Sequence, residues 1–122
     1  MTELWLVRHG ETDWNREQRL MGQLDIPLNA EGMRQAAELA AELTGQVFDA
    51  LFSSDQLRAR QTAEVLAAAL NLPLHLDPRL REEHLGAWQG LTHAEIQARY
   101  PGQWEQRRAD PPDFRPPGGG ET

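Results

Sequence analysis

The sequence predicts an α/β domain built as a mostly parallel sheet with helices on its faces. Three short runs rich in apolar residues, at 4–7, 49–53 and 74–76, have the length and flanking turn residues of strands. Between and after them lie stretches with helical periodicity. Capping residues stand where those helices would start.

Taken in order, residues 4–7 (LWLV) form a continuous apolar run and read as a buried strand. Residues 10–28 hold no sustained period and contain Gly22 and Pro27, so they read as loop. Asn29 is a good N-cap for a helix over 30–44, closed by Gly45. Ala36, Leu39, Ala40 and Leu43 fall on one face of it, at i, i+3, i+4 and i+7. The stretch DALFS at 49–53 is a second strand, and Ser54 or Asp55 is set to cap a helix running to about Leu70. A third strand follows at 74–76. Thr92 to Glu95 (THAE) is a capping box that opens a short helix ending near Arg99, ahead of Tyr100 and Pro101. The tail DPPDFRPPGGGET is rich in proline and glycine and reads as loop or linker.

With 122 residues the chain is one domain by length. Apolar residues make up 39% and charged residues 25%, the balance of a soluble globular protein. A mean hydropathy of -0.65 and the lack of a long apolar run argue against a transmembrane helix. No secretory leader pattern opens the chain, so the expected compartment is the cytoplasm. The absence of cysteine removes disulfides, thiolate metal sites and a cysteine nucleophile together. A net charge of -7 argues against nucleic acid as a partner. All 12 cationic side chains are arginine, so any phosphate contact by a cation must use the planar guanidinium fork.

The chemistry-bearing residues fall in three segments. In LVRHGETDWN, His9 ends the first predicted strand, the place where α/β sheets hold ligands. A neutral imidazole is a competent nucleophile toward phosphorus. Arg8 beside it could hold phosphoryl oxygens, Asn15 could add a neutral donor, and Gly10 allows close backbone approach. In SSDQLRARQTAE, Arg58 falls in the first turn of a predicted helix, and Arg60 points to another face. In LREEHLGAWQG, either Glu82 or Glu83 could protonate a leaving oxygen. Local spacing does not choose between them. Each segment alone has a plain structural alternative: a core histidine, a solvated helix start, a pair of surface acids. His84 and His93 lack the spacing of a metal site, and His75 sits inside a predicted strand.

Taken together, the three segments resemble the histidine phosphatase superfamily, the phosphoglycerate-mutase-like enzymes, in order and in spacing. The resemblance runs the length of the chain, and PPGGGET is similar to a proline-glycine-glutamate loop of many members. It implies a three-layer αβα fold with a mostly parallel sheet, a single domain over 1–122. It also implies roles: His9 as nucleophile, Arg8, Arg58 and Asn15 as phosphate ligands, and Glu82 as proton donor with Glu83 a bystander. Thr12, Gly22 and Gln23 would line the substrate mouth. No cofactor and no metal would be needed, and the partner would be a small phosphorylated metabolite. GQLDIPLNAEG and the short connection after the acid segment resemble the broad-specificity phosphatase branch. The expected function is therefore hydrolysis of a small phosphomonoester through phosphohistidine. Mutase-type phosphoryl transfer is the alternative within the family; Arg107 and Arg108 faintly resemble a mutase segment. A non-catalytic module that binds phosphate esters is the alternative from another class. One departure stands out. The family's late histidine-glycine-glycine segment is missing, and with it the C-terminal strands. Losing one such preorganised donor costs roughly 10²–10³ in rate. The expectation is a C-terminally truncated domain. Its first strand would be an unpaired edge prone to association, which leaves a homodimer open.

Overall fold

The computed structural model describes residues 3–82 and 84–103. Glu83, Arg107, Arg108 and the proline-glycine tail lie outside them. The backbone divides into two units.

The first unit holds the described residues up to Thr12 together with Pro27–Leu80. Its helix α2 spans Ala30–Leu43. As expected, Asn29 caps it, its side-chain oxygen accepting from the Gly32 N–H at 2.7 Å. Strand β1 (Leu51–Ser53) is followed by helix α3 (Leu57–Leu70) and strand β2 (Leu74–Leu76). The two strands pair in parallel with Leu51 opposite Leu74 and Ser53 opposite Leu76. A parallel pair needs a crossover, and α3 supplies it while packing on both strands. Helix α2 packs on α3. Ala36, Ala40 and Ala63 are among their buried residues, small side chains that let helices approach closely. Asn71 ends α3 in the left-handed region at φ 54°, which asparagine tolerates.

Two expectations change here. The helix cap falls on Gln56 rather than Ser54 or Asp55, because the Ser54 hydroxyl instead accepts from the Gln56 N–H at 3.1 Å and shapes the turn before the helix. Residues 4–7 are not in a ladder, and Leu4 and Leu6 are 80% and 88% exposed. An apolar run signals burial but a strand exists only with a hydrogen-bonded neighbour. Among the described residues none pairs with this run. Trp5 instead meets Phe48 edge-on, with ring centroids 5.2 Å apart. On the sheet, Phe52 is exposed and stacks on His75 at 5.0 Å.

The second unit holds Asp13–Ile26 and the described residues from Arg81 on. The stretch expected as loop begins with one short helix, α1 (Asp13–Arg16). A 3₁₀ turn at Gly86–Trp88 and helix α4 (His93–Arg99) follow among its described residues. The capping box is present: Thr92 Oγ1 accepts from the Glu95 N–H at 3.2 Å. Leu85, Trp88, Leu91 and Ile96 form the apolar centre, with Leu20 and Tyr100 packed against it. Arg19 fastens the unit at its edge, donating to the Gly90 carbonyl at 2.7 Å and to Glu95 Oε1 at 2.8 Å. Burial pushes the Glu95 carboxyl up, but the charge of Arg19 and hydrogen bonds from Thr92 and Arg19 outweigh it. The net shift is downward. No helix among the described residues is long and apolar enough to cross a membrane.

Candidate active site

Arg8, His9, Thr12 and Arg58 belong to the first unit. His9 is half-buried, and its Nδ1 lies 2.7 Å from the carbonyl oxygen of Gly10. A carbonyl can only accept, so this bond puts a proton on Nδ1, and in the neutral ring the lone pair then falls on Nε2. The bond therefore selects Nε2 as the basic nitrogen of the neutral ring. Gly10 is buried, and its N–H donates to Thr62 Oγ1 at 3.0 Å. The Thr62 hydroxyl donates onward to the Arg58 carbonyl at 2.9 Å. Two hydrogen bonds thus join the neighbour of His9 to the backbone of Arg58.

Arg58 is buried and Arg8 is exposed. The Arg58 guanidinium donates to Gln56 Oε1, a long contact of 3.4 Å, and Ser53, Ser54 and Gln56 are buried nearby in sequence. Arg60 is on the surface, paired with Glu64 at 3.2 Å. The face separation read from helical spacing is therefore observed. A planar cation at low exposure keeps its charge through hydrogen bonding and can hold two oxygens of an anion at once.

The segment after His9 lies against the start of α2. The Glu11 N–H donates to Gln35 Oε1 at 2.9 Å, and the Glu11 carbonyl accepts from the Asn29 N–H at 3.0 Å. Asn29 Nδ2 donates to Glu11 Oε1 at 2.9 Å. Contact is closest at two glycines. A Cβ on Gly10 would stand 2.5 Å from the Gly32 carbonyl oxygen, so only glycine fits. Thr12 is fully buried and bridges Leu28 through the backbone.

Asn15, Gly22, Gln23 and Glu82 belong to the second unit. Asn15 is in α1 and half-buried. Glu82 is exposed, and its backbone carbonyl accepts from Gln23 Nε2 at 3.3 Å. Gln89 organises this part: its Oε1 accepts from the Gln23 N–H at 2.9 Å and from the Leu85 N–H at 3.3 Å. Gly22, at φ 53°, leaves space that a Cβ would take from the Gln89 side chain. Gln23 and the stretch from Glu82 to Gln89 are therefore bonded to each other. His84 Nδ1 accepts from the Gly86 N–H at 3.0 Å, and His93 bonds to Gln97 at 3.3 Å. No group of three or more metal-ligating side chains occurs among the described residues.

Comparison with known proteins places the fold and the three motif segments in one family. Residues 4–122 match the histidine phosphatase superfamily (branch 1), and the chain belongs to that family. It is 40% identical over 122 residues to phosphoglycerate mutase-like protein 4 of Arabidopsis thaliana, covering 98% of this chain and 53% of that protein. It is 49% identical over 100 residues to glucosyl-3-phosphoglycerate phosphatase of Mycobacterium tuberculosis, covering 81% of this chain and 44% of that one. The structure superimposes on a mycobacterial glucosyl-3-phosphoglycerate phosphatase solved with inorganic phosphate. The TM-score is 0.80 at 43% identity, over 93% of this chain and 52% of that chain. The fold is thus phosphoglycerate-mutase-like, and the chain spans about half the length of the relatives it matches.

Proposed function

We propose that this chain carries the phosphate-handling part of a phosphatase that hydrolyses a small phosphomonoester through a phosphohistidine at His9. The observation that carries the reading is the His9 Nδ1–Gly10 carbonyl bond, which in the neutral ring makes Nε2 the nitrogen with the lone pair. Nε2 attacks phosphorus as the ester P–O bond breaks. The leaving oxygen takes a proton from Glu82. Water then attacks phosphorus and gives a proton back to the Glu82 carboxylate, the N–P bond breaks, and inorganic phosphate leaves. Arg8, Arg58 and Asn15 neutralise the phosphoryl oxygens throughout. The mycobacterial relative solved with inorganic phosphate supports an anion of this kind.

Trapping of acid-labile, alkali-stable phosphate on His9 tests the covalent step, and hydrolysis in ¹⁸O-labelled water tests which ester bond breaks. The reading expects label in the released phosphate and none in the alcohol. Glu82→Gln should slow an alkyl phosphate far more than an activated aryl phosphate, whose leaving group needs no proton. Equal slowing of both would remove Glu82 from the acid role. A second reading, return of the phosphoryl group to the substrate, is favoured by the Arabidopsis relative's likeness to phosphoglycerate mutases. Product analysis separates the two: a mutase yields an isomeric phosphate ester, a phosphatase yields free phosphate.

A further inference from the structure

We infer that Thr62 and Gln35 are positioning residues for His9, acting through the two peptide groups that flank Gly10; the inference rests on His9 being the nucleophile. The peptide between His9 and Gly10 is held by its N–H, which donates to Thr62 Oγ1 at 3.0 Å. The next peptide presents the Gly10 carbonyl to His9 Nδ1 at 2.7 Å. The N–H of that same peptide belongs to Glu11 and donates to Gln35 Oε1 at 2.9 Å. An amide whose N–H is engaged is a better acceptor at its carbonyl, because the two bonds polarise one group. The plane of the peptide, and with it the aim of the imidazole, is set from both helices.

Thr62 suits this task because a hydroxyl both donates and accepts. Its proton goes to the Arg58 carbonyl at 2.9 Å, one turn back in α3. Its lone pair is then aimed at Gly10, 52 residues away in sequence. Thr62 is buried, at 4% exposure, so water does not replace it readily. The backbone contact of Gly10 with Gly32 closes the third side. The same helix therefore carries Arg58 and sets the direction of the ring that would attack phosphorus. Serine keeps both bonds; valine, of nearly the same shape, keeps neither.

The test reads the His9 ring directly. Long-range ¹H–¹⁵N correlation spectra of the folded protein, above the histidine titration range, should show Nδ1 protonated and Nε2 bare in the wild type. Thr62→Val should give a mixture of tautomers at His9 while His75 and His93 keep their signals. Thr62→Ser should restore the wild-type pattern. With an activated aryl phosphate, Thr62→Val should lower the phosphorylation rate about 10- to 100-fold with little change in half-saturating concentration, as expected for a misaimed nucleophile. Gln35→Ala, at an exposed position, should shift the ring pattern in the same direction and covers the case in which Thr62→Val does not fold. An unchanged His9 pattern in folded Thr62→Val, or in Gln35→Ala if the former is unfolded, overturns the inference. A pattern that responds to Thr62 in a protein that never forms phosphohistidine upholds the positioning and removes the proposed function.

Discussion

Replacing Gly32 by alanine should destabilise the protein, although helix propensity predicts the opposite. Gly32 lies in the first turn of α2, where Gly→Ala ordinarily gains about 0.5–1 kcal/mol. Here a Cβ would fall on the Glu11 carbonyl oxygen, and 2.8 and 2.9 Å from the Glu11 N and C atoms. All three are backbone atoms, so no flexible tip can move aside. The Glu11 backbone is also fixed by Asn29 and Gln35 at 3.0 and 2.9 Å. Overpacking of this sort costs roughly 1–3 kcal/mol. Each hydrogen bond displaced adds about 1 kcal/mol. Set against the propensity gain, the net loss is about 1–3 kcal/mol. At about 4 °C per kcal/mol, the thermal midpoint should fall by about 4–12 °C. Thermal unfolding followed by circular dichroism measures it. An unchanged or raised midpoint would refute the claim that the segment after His9 rests on the backbone of α2.

Trp88 has no exposed surface at the centre of the second unit, so Trp88→Ala should cost about 3–5 kcal/mol in urea unfolding. Arg60→Ala should change stability by no more than about 0.5 kcal/mol, since its pair with Glu64 is solvated. Arg58→Ala should slow phosphoryl transfer sharply in a protein that still folds; equal kinetics for the two variants would contradict the assignment. Hydrogen bonds from the Arg79 side chain and backbone hold the Asp77 carboxyl down at about 2. Carboxyl ¹³C titration should show that midpoint, and Arg79→Ala should return it toward about 3.9. Because the folded value lies below the unfolded one, this stabilisation is present above about pH 4 and lost as pH falls toward 2. A wild-type midpoint near 4 would mean that the Asp77–Arg79 bonds do not hold in solution.

The legible parts of this fold are the ones specified locally. Asn29 caps α2 with its own side chain, Asn71 ends α3, and Thr92 with Glu95 starts α4; each signal sits within four residues of its effect. The separation of buried Arg58 from surface Arg60 follows from 3.6-residue periodicity. The run at 4–7 misleads because apolar composition says nothing about which strand pairs with it. Ser54 misleads because a hydroxyl that can cap a helix can equally shape the turn before it. In the candidate site, the motif residues were visible as chemistry, but their supports were not. Thr62 and Gln89 act on partners 52 and 66 residues away, and nothing in their neighbourhood in sequence announces it. The Gly10–Gly32 contact is of the same kind: the sequence marks Gly10 for close backbone approach, but not Gly32 as the group that approaches it.

The most direct test of the account is a rapid-quench search for phosphohistidine. Folded protein is mixed with an activated, phosphorus-labelled aryl phosphate, with His9→Ala as the control. The account predicts acid-labile, alkali-stable label on the wild type and none on His9→Ala. Label that survives His9→Ala, or no label on folded wild-type protein, would contradict it.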